Sequence, residues 1–208
     1  MLIWKALFAT ALITFGVGIL GISILKSAAV HYSFSGIPEE SWKIDTGEKI
    51  DYNLPYSGRI LPDSPFWFIK VARDKAWTLF TSKKSRKAEL NLLFADKRLV
   101  ASKLLFEKGE YELGAEILLK AELYLQEASN LREGCKASGE NTREFLKVIT
   151  LASLKHREVI DEIVAIAPED ARPEIIKIKD ITREVFIKER NALQEIGEVA
   201  PKSPSEWD

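Results

Sequence analysis

Residues 6–25 are the feature that most constrains this chain, because these 20 consecutive residues contain no charged side chain. A helix rises about 1.5 Å per residue, so a run of this length spans the roughly 30 Å hydrocarbon layer of a bilayer. The sequence therefore predicts a transmembrane anchor over residues 1–26, with the membrane as a partner of the chain through residues 6–25.

A cleaved secretory signal peptide is the alternative interpretation of the same segment. Lys5 precedes the apolar run, and Ser27, Ala28 and Ala29 supply small residues for cleavage. The anchor is favoured, because the apolar core of a signal peptide is usually only about 7–15 residues long. The basic residues at the two ends are almost balanced, so the orientation rests on the short N-terminal tail. We expect a single-pass protein of the cell membrane with the bulk of the chain outside the cytoplasm.

The rest of the chain divides by its hydrophobic pattern. Residues 27–63 hold much of the Gly and Pro and show no sustained period, so they are expected to form an extended linker. Apolar residues then recur at helical spacing in one short and four longer segments, without β-type alternation. The expected fold class is all-α: the transmembrane helix, then an extracytoplasmic bundle of about four to five helices over residues 64–197. Residues 198–208 are expected to be a loose C-terminal tail.

The first helix of this bundle, expected over residues 65–81 with Ser64 as its N-cap, is unusually rich in aromatic side chains. We favour core packing for these side chains, and contact with a membrane interface is the alternative, since aromatic residues favour the headgroup level. Phe66, Trp67 and Trp77 are the candidate surface for a protein partner.

Side chains suited to catalysis or metal binding are few. His156 lies on the apolar side of its helix and is the candidate weak ligand site, although a hydrogen-bonded core histidine is the favoured interpretation. His31 is the only other histidine, so a dedicated His-rich metal site is not expected. Asp96, Glu122 and Glu189 lie on or beside apolar stripes, where salt bridges to Lys or Arg are favoured over metal binding or proton transfer.

The motifs of the common enzyme classes are missing from the sequence. It holds no phosphate-binding loop, dinucleotide-binding motif or nucleophile elbow, and the single cysteine, Cys135, has no histidine beside it. The net charge is −1, with bases and acids interleaved along the later helices, so nucleic acid is not expected as a partner. We therefore expect a protein that is not an enzyme and that needs no cofactor or metal.

A set of residues from the end of the linker into the first long hairpin carries a family resemblance: Tyr56, Gly58, Leu61, the run Pro62-Asp63-Ser64-Pro65, Lys70 and the run Lys87-Ala88-Glu89-Leu90. Over about residues 52–132 the chain resembles a family of uncharacterised prokaryotic membrane-anchored helical envelope domains. The resemblance implies an extracytoplasmic helical module of unknown function with a P-D-S-P helix start, and it transfers no catalytic residue.

Two functions are consistent with these features. The favoured one is a membrane-tethered, non-enzymatic helical interaction or scaffold module of the cell envelope, whose partner is another envelope protein. The alternative is an extracytoplasmic ligand- or metal-sensing helical bundle. The first predicts an exposed apolar patch on the folded domain, and the second predicts that a bound ligand or metal raises its stability.

Overall fold

The helices follow one another with short connections. The computed structural model describes residues 50–202, together with 204 and 207. The helices are α1 (Trp67–Phe80), α2 (Lys84–Glu107), α3 (Tyr111–Ala137), α4 (Arg143–Ile166) and α5 (Arg172–Glu195), and no strand occurs among the described residues. The expected all-helical bundle is thereby confirmed.

The predicted transmembrane helix lies outside the described residues. Within residues 50–202, none of the helices combines the length and the apolar character needed to cross a membrane. The anchor and the membrane location of the chain therefore stay predictions.

The four longer helices form two stacked hairpins. α2 packs along α3 and α4 packs along α5, while α2 also contacts α4 and α3 contacts α5. Connections of three to five residues make neighbouring helices antiparallel. Gly109 and Gly139 end α2 and α3 with a φ of +82°, a backbone conformation that residues with a Cβ rarely adopt. These two glycines allow the chain to reverse within a few residues.

The first hairpin depends on a close approach between α2 and the start of α3. A Cβ added to Gly114 would lie 2.7 Å from the ring of Phe106, so a larger residue has no room there. The hydroxyl of Ser102 donates a hydrogen bond to the Gly114 carbonyl at 2.8 Å. Small and polar residues thus set the spacing of these two helices.

The core consists of the apolar stripes that the sequence predicts. Its largest cluster joins all four long helices and includes Leu99, Phe106, Leu118, Ile160, Ile163, Ile175 and Ile178. A second cluster contains Leu92, Leu125, Ile149 and Val185. Each fully buried side chain of this size stabilises the fold by about 1.5–3 kcal/mol. Cys135 is a free, buried thiol, so no disulfide adds to this burial among the described residues.

Both ends of the described chain contact the bundle. The Ile50 amide donates to Glu158 at 3.0 Å, and Leu54 packs against the largest core cluster. The later part of the segment expected to be a linker therefore lies on the bundle. The expected loose tail also contains a packed residue, because Trp207 is buried with its ring centroid 5.4 Å from that of Phe186. Spacing along the sequence does not reveal such contacts, since each joins single residues that are far apart in the sequence.

Candidate interaction surface and buried polar network

A chain of hydrogen-bonded polar side chains crosses the interior of the bundle. His156 on α4 is fully buried, with Nδ1 2.8 Å from Glu122 Oε1 and Nε2 3.1 Å from Asp96 Oδ1. The second oxygen of each carboxylate accepts a hydroxyl hydrogen bond, from Thr182 to Glu122 at 2.6 Å and from Tyr52 to Asp96 at 2.7 Å. Each of the four long helices contributes one member of this chain, so the network ties the two hairpins together.

The geometry makes His156 an imidazolium. Burial by itself lowers the pKa of His156, but the Glu122 charge and the hydrogen bonds that the ring donates to both carboxylates outweigh it and raise the pKa to about 10. Burial and the neighbouring Asp96 raise the pKa of Tyr52, so its hydroxyl stays a donor. An imidazolium has two N–H donors and no lone pair, and therefore cannot bind a metal or accept a proton.

The contacts of His156 bear on the hypothesis of a sensing bundle. Its two nitrogens lie on different edges of the ring, which directs the two carboxylates away from each other. In the part of the chain that the structure describes, no three His, Cys, Asp or Glu side chains are grouped to hold a metal ion. Metal binding at His156 would require one ring nitrogen to lose its proton and its hydrogen bond to a carboxylate. Ligand or metal sensing stays a prediction.

The carboxylates singled out in the sequence have different partners. Asp96 and Glu122 were expected to pair with Lys or Arg, and that expectation is wrong because both pair with the buried histidine. Glu189 follows the expectation, with Oε2 2.9 Å from Arg132 Nε at a site closed to solvent. Burial raises the pKa of Glu189 and the Arg132 charge opposes the shift.

α1 contacts α2 through a polar side. Asp74 is the only buried residue of α1, and its Oδ2 lies 3.4 Å from Nη2 of the buried Arg98 on α2. The Arg98 guanidinium also lies 4.4 Å from the centroid of the Tyr124 ring. The Lys70 ammonium donates to the Ser57 carbonyl. Charged groups therefore hold α1 in place.

The apolar side of α1 faces solvent, which corrects the expected core packing. Leu79 and Phe80 are 79% and 81% exposed. Of the predicted partner residues, Phe66 and Trp77 are 59% and 51% exposed, whereas Trp67 is mostly buried. We call the exposed set the outer face of α1: Phe66, Phe68, Ile69, Trp77, Leu79 and Phe80.

The reason for this correction lies in the polar residues of the same helix. Lys70, Asp74 and Thr78 are spaced four residues apart and therefore share one side of the helix. This polar side is the one that packs on α2, and the spacing was the sequence pattern that indicated it. The helix also begins at Trp67, later than expected, although the Ser64 hydroxyl still accepts the Phe66 amide at 3.3 Å.

One family model matches the region that contains both α1 and most of the buried network around His156. A family model described as "Domain of unknown function (DUF5667)" matches residues 59–170, which is more than half of the chain. The matched region includes α1 and the network from Asp96 to His156 and ends just before α5. No curated protein and no solved structure matches. The chain therefore belongs to the DUF5667 family, a family of unknown function, in agreement with the expected resemblance to an uncharacterised domain family.

Proposed function

We propose that this protein is a membrane-tethered, non-enzymatic interaction module of the cell envelope, and that the outer face of α1 is its binding surface. The observation that carries the proposal is the reversed polarity of α1. A helix packed for stability alone buries its apolar side, whereas α1 buries Asp74 and exposes Phe68 and Phe80.

The exposed side chains of α1 are concentrated in one short helix. Elsewhere in the described chain, large exposed hydrophobic residues on the long helices are scattered singly, as at Leu123, Val148 and Ile176. Single exposed hydrophobic residues are ordinary on protein surfaces, but a continuous apolar patch marks a site for a protein or a membrane. α1 therefore supplies the surface and the four-helix bundle supplies its support.

The bundle interior supports a scaffold role. Charged groups in its centre satisfy one another: His156 pairs with Asp96 and Glu122, and Glu189 pairs with Arg132. Such networks make a core rigid and specific. α1 is held on α2 mainly by an ion pair, so it requires a rigid support, and the four-helix bundle provides one.

Photo-crosslinking in intact cells tests this function. A benzophenone amino acid at Phe68 or Leu79 of the full chain is expected to crosslink to a protein or a lipid. The same probe at Leu123, an exposed leucine on α3, is the matched control and is expected to give no comparable product. Equal yields at the three positions would contradict an interaction surface on α1.

Two further measurements test the tether and the side of the membrane. The chain is expected to stay with membranes during alkaline carbonate extraction, because residues 6–25 are long enough to span the bilayer. Protease added outside spheroplasts is expected to digest the bundle. Release by carbonate would refute the tether, and digestion only after lysis would refute the extracytoplasmic location.

A further inference from the structure

The surroundings of the outer face of α1 are strongly basic. Residues 66–88 contain seven basic residues and one acidic residue, although the whole chain has a net charge of −1. The acidic residue, Asp74, is buried between two cations, with Oδ1 2.7 Å from Arg73 Nη2 and Oδ2 3.4 Å from Arg98 Nη2. Exposed cations in this stretch are Arg73, Lys75, Lys83, Lys84 and Arg86, of which Arg73 pairs with Asp74 and Arg86 pairs with Glu89. The apolar face thus lies within the most basic stretch of the described chain.

The cations flank the apolar residues in a particular order. At about 100° per residue, Phe68, Leu79, Ile69 and Phe80 fall within an arc of roughly 120° on α1. Lys75 lies at one edge of this arc and Arg73 at the other. A flat bilayer surface suits this pattern, because the apolar arc enters the acyl boundary while the long basic side chains extend to the phosphates.

The aromatic residue at one edge has the same preference. The Arg73 guanidinium lies 6.0 Å from the centroid of the Trp77 ring, and Trp77 is half exposed. Tryptophan favours the headgroup level, where its ring is apolar and its N–H is hydrated. A cation beside it would contact the same layer of lipid phosphates.

We propose that the outer face of α1 binds the headgroup region of a bilayer that contains anionic lipids. The inference rests on the proposed function, because it names the partner of the surface defined there. The predicted span ends at residue 25 and α1 begins at Trp67. A chain anchored through residues 6–25 would therefore keep α1 near the bilayer. Tethering makes a weak surface contact effectively intramolecular, and two membrane signals together hold a protein more firmly than one.

Fluorescence quenching in reconstituted bilayers tests this contact. The full chain carries Ala76→Cys, an exposed position between the apolar residues of α1, in a Cys135→Ser background, and is labelled with an environment-sensitive nitrobenzoxadiazole dye. Ile176→Cys on α5 provides the matched exposed control. Spin-labelled phosphatidylcholine is expected to quench the dye at position 76 in bilayers containing phosphatidylglycerol, and to leave the dye at position 176 unquenched.

Charge and apolar contact are then separated by variants. Lys75→Gln and Lys84→Gln are each expected to lower the ratio of bilayer-bound to free α1 about fivefold at low salt, since one basic residue near an anionic surface contributes about 1 kcal/mol. Lys177→Gln on α5 should leave the ratio unchanged. Phe80→Ser is expected to reduce quenching, whereas Leu123→Ser is not. Unchanged circular dichroism and thermal melting confirm that each variant is folded.

The outcomes distinguish this inference from the function it rests on. No quenching at position 76, or equal quenching in anionic and neutral bilayers, overturns the lipid contact. If α1 crosslinks to a protein in cells and is not quenched by lipid, the lipid contact falls, whereas the interaction function stands with that protein as its partner. If neither crosslinking nor quenching distinguishes α1 from α3 and α5, both proposals fall.

Discussion

Raising the pH from 7 to 9 should destabilise the bundle through the one histidine in its core. In the folded chain the pKa of His156 is raised to about 10, whereas an unfolded histidine titrates near 6.5. Between these two values the folded state binds one proton more than the unfolded state. The contribution of His156 to the free energy of unfolding is therefore fully present below about pH 6.5 and is lost as the pH rises toward 10.

The size of the effect follows from proton linkage. One proton corresponds to about 1.4 kcal/mol per pH unit, so two units remove roughly 2–3 kcal/mol from the free energy of unfolding. This is a large fraction of the about 5–15 kcal/mol that ordinary domains possess. The loss should be nearly linear in pH, because pH 7–9 lies between the unfolded and folded pKa values.

Urea denaturation of fragment 50–208, followed by circular dichroism at several pH values, measures the slope. This fragment contains every described core contact. His156→Gln removes the titrating group and should remove the part of the pH dependence of the unfolding free energy that this group causes. Asp96→Asn should lower the pKa of His156 in the folded chain and so confine that pH dependence to lower pH. If the parent and His156→Gln lose stability in parallel as the pH rises, the assignment of His156 as a buried imidazolium is wrong.

Three further substitutions, two of them with a matched control substitution, follow from other contacts and are measured by the same urea titrations. Gly114→Ala should destabilise by about 1 kcal/mol, because overpacking against a phenylalanine of α2 exceeds the gain in helix propensity. Gly134→Ala in the same helix meets no atom within 4 Å and should stabilise by about 1 kcal/mol; equal signs would contradict this difference. Tyr52→Phe should cost about 1–2 kcal/mol by leaving a buried carboxylate oxygen unpaired, while Tyr56→Phe, which is largely exposed, should be neutral. Arg132→Met should cost about 3–5 kcal/mol because it leaves a buried glutamate without its cation, and a loss below about 1 kcal/mol would refute the buried pair.

Part of the candidate site was recognisable in the sequence. The apolar face around His156 predicted a buried histidine, and the clustering of aromatic residues around Trp67 and Trp77 predicted a distinctive first helix. The partners of His156 were not predictable, since Asp96 and Glu122 lie 60 and 34 residues away from it. Local spacing orders residues within one helix, but it does not set the register between helices that meet across a core.

Helical periodicity was sufficient to predict an all-helical bundle of one short and four longer helices, because periodicity is a property of short segments. The uncharged run over residues 6–25 likewise predicts an anchor from local composition alone. Tertiary structure decided which side of α1 faces the bundle. An apolar side normally packs inward, but the buried ion pair between Asp74 and Arg98 holds the polar side of α1 against α2 and leaves the apolar side at the surface. That pair joins residues 24 positions apart on two helices, so it exists only once the two helices have come together.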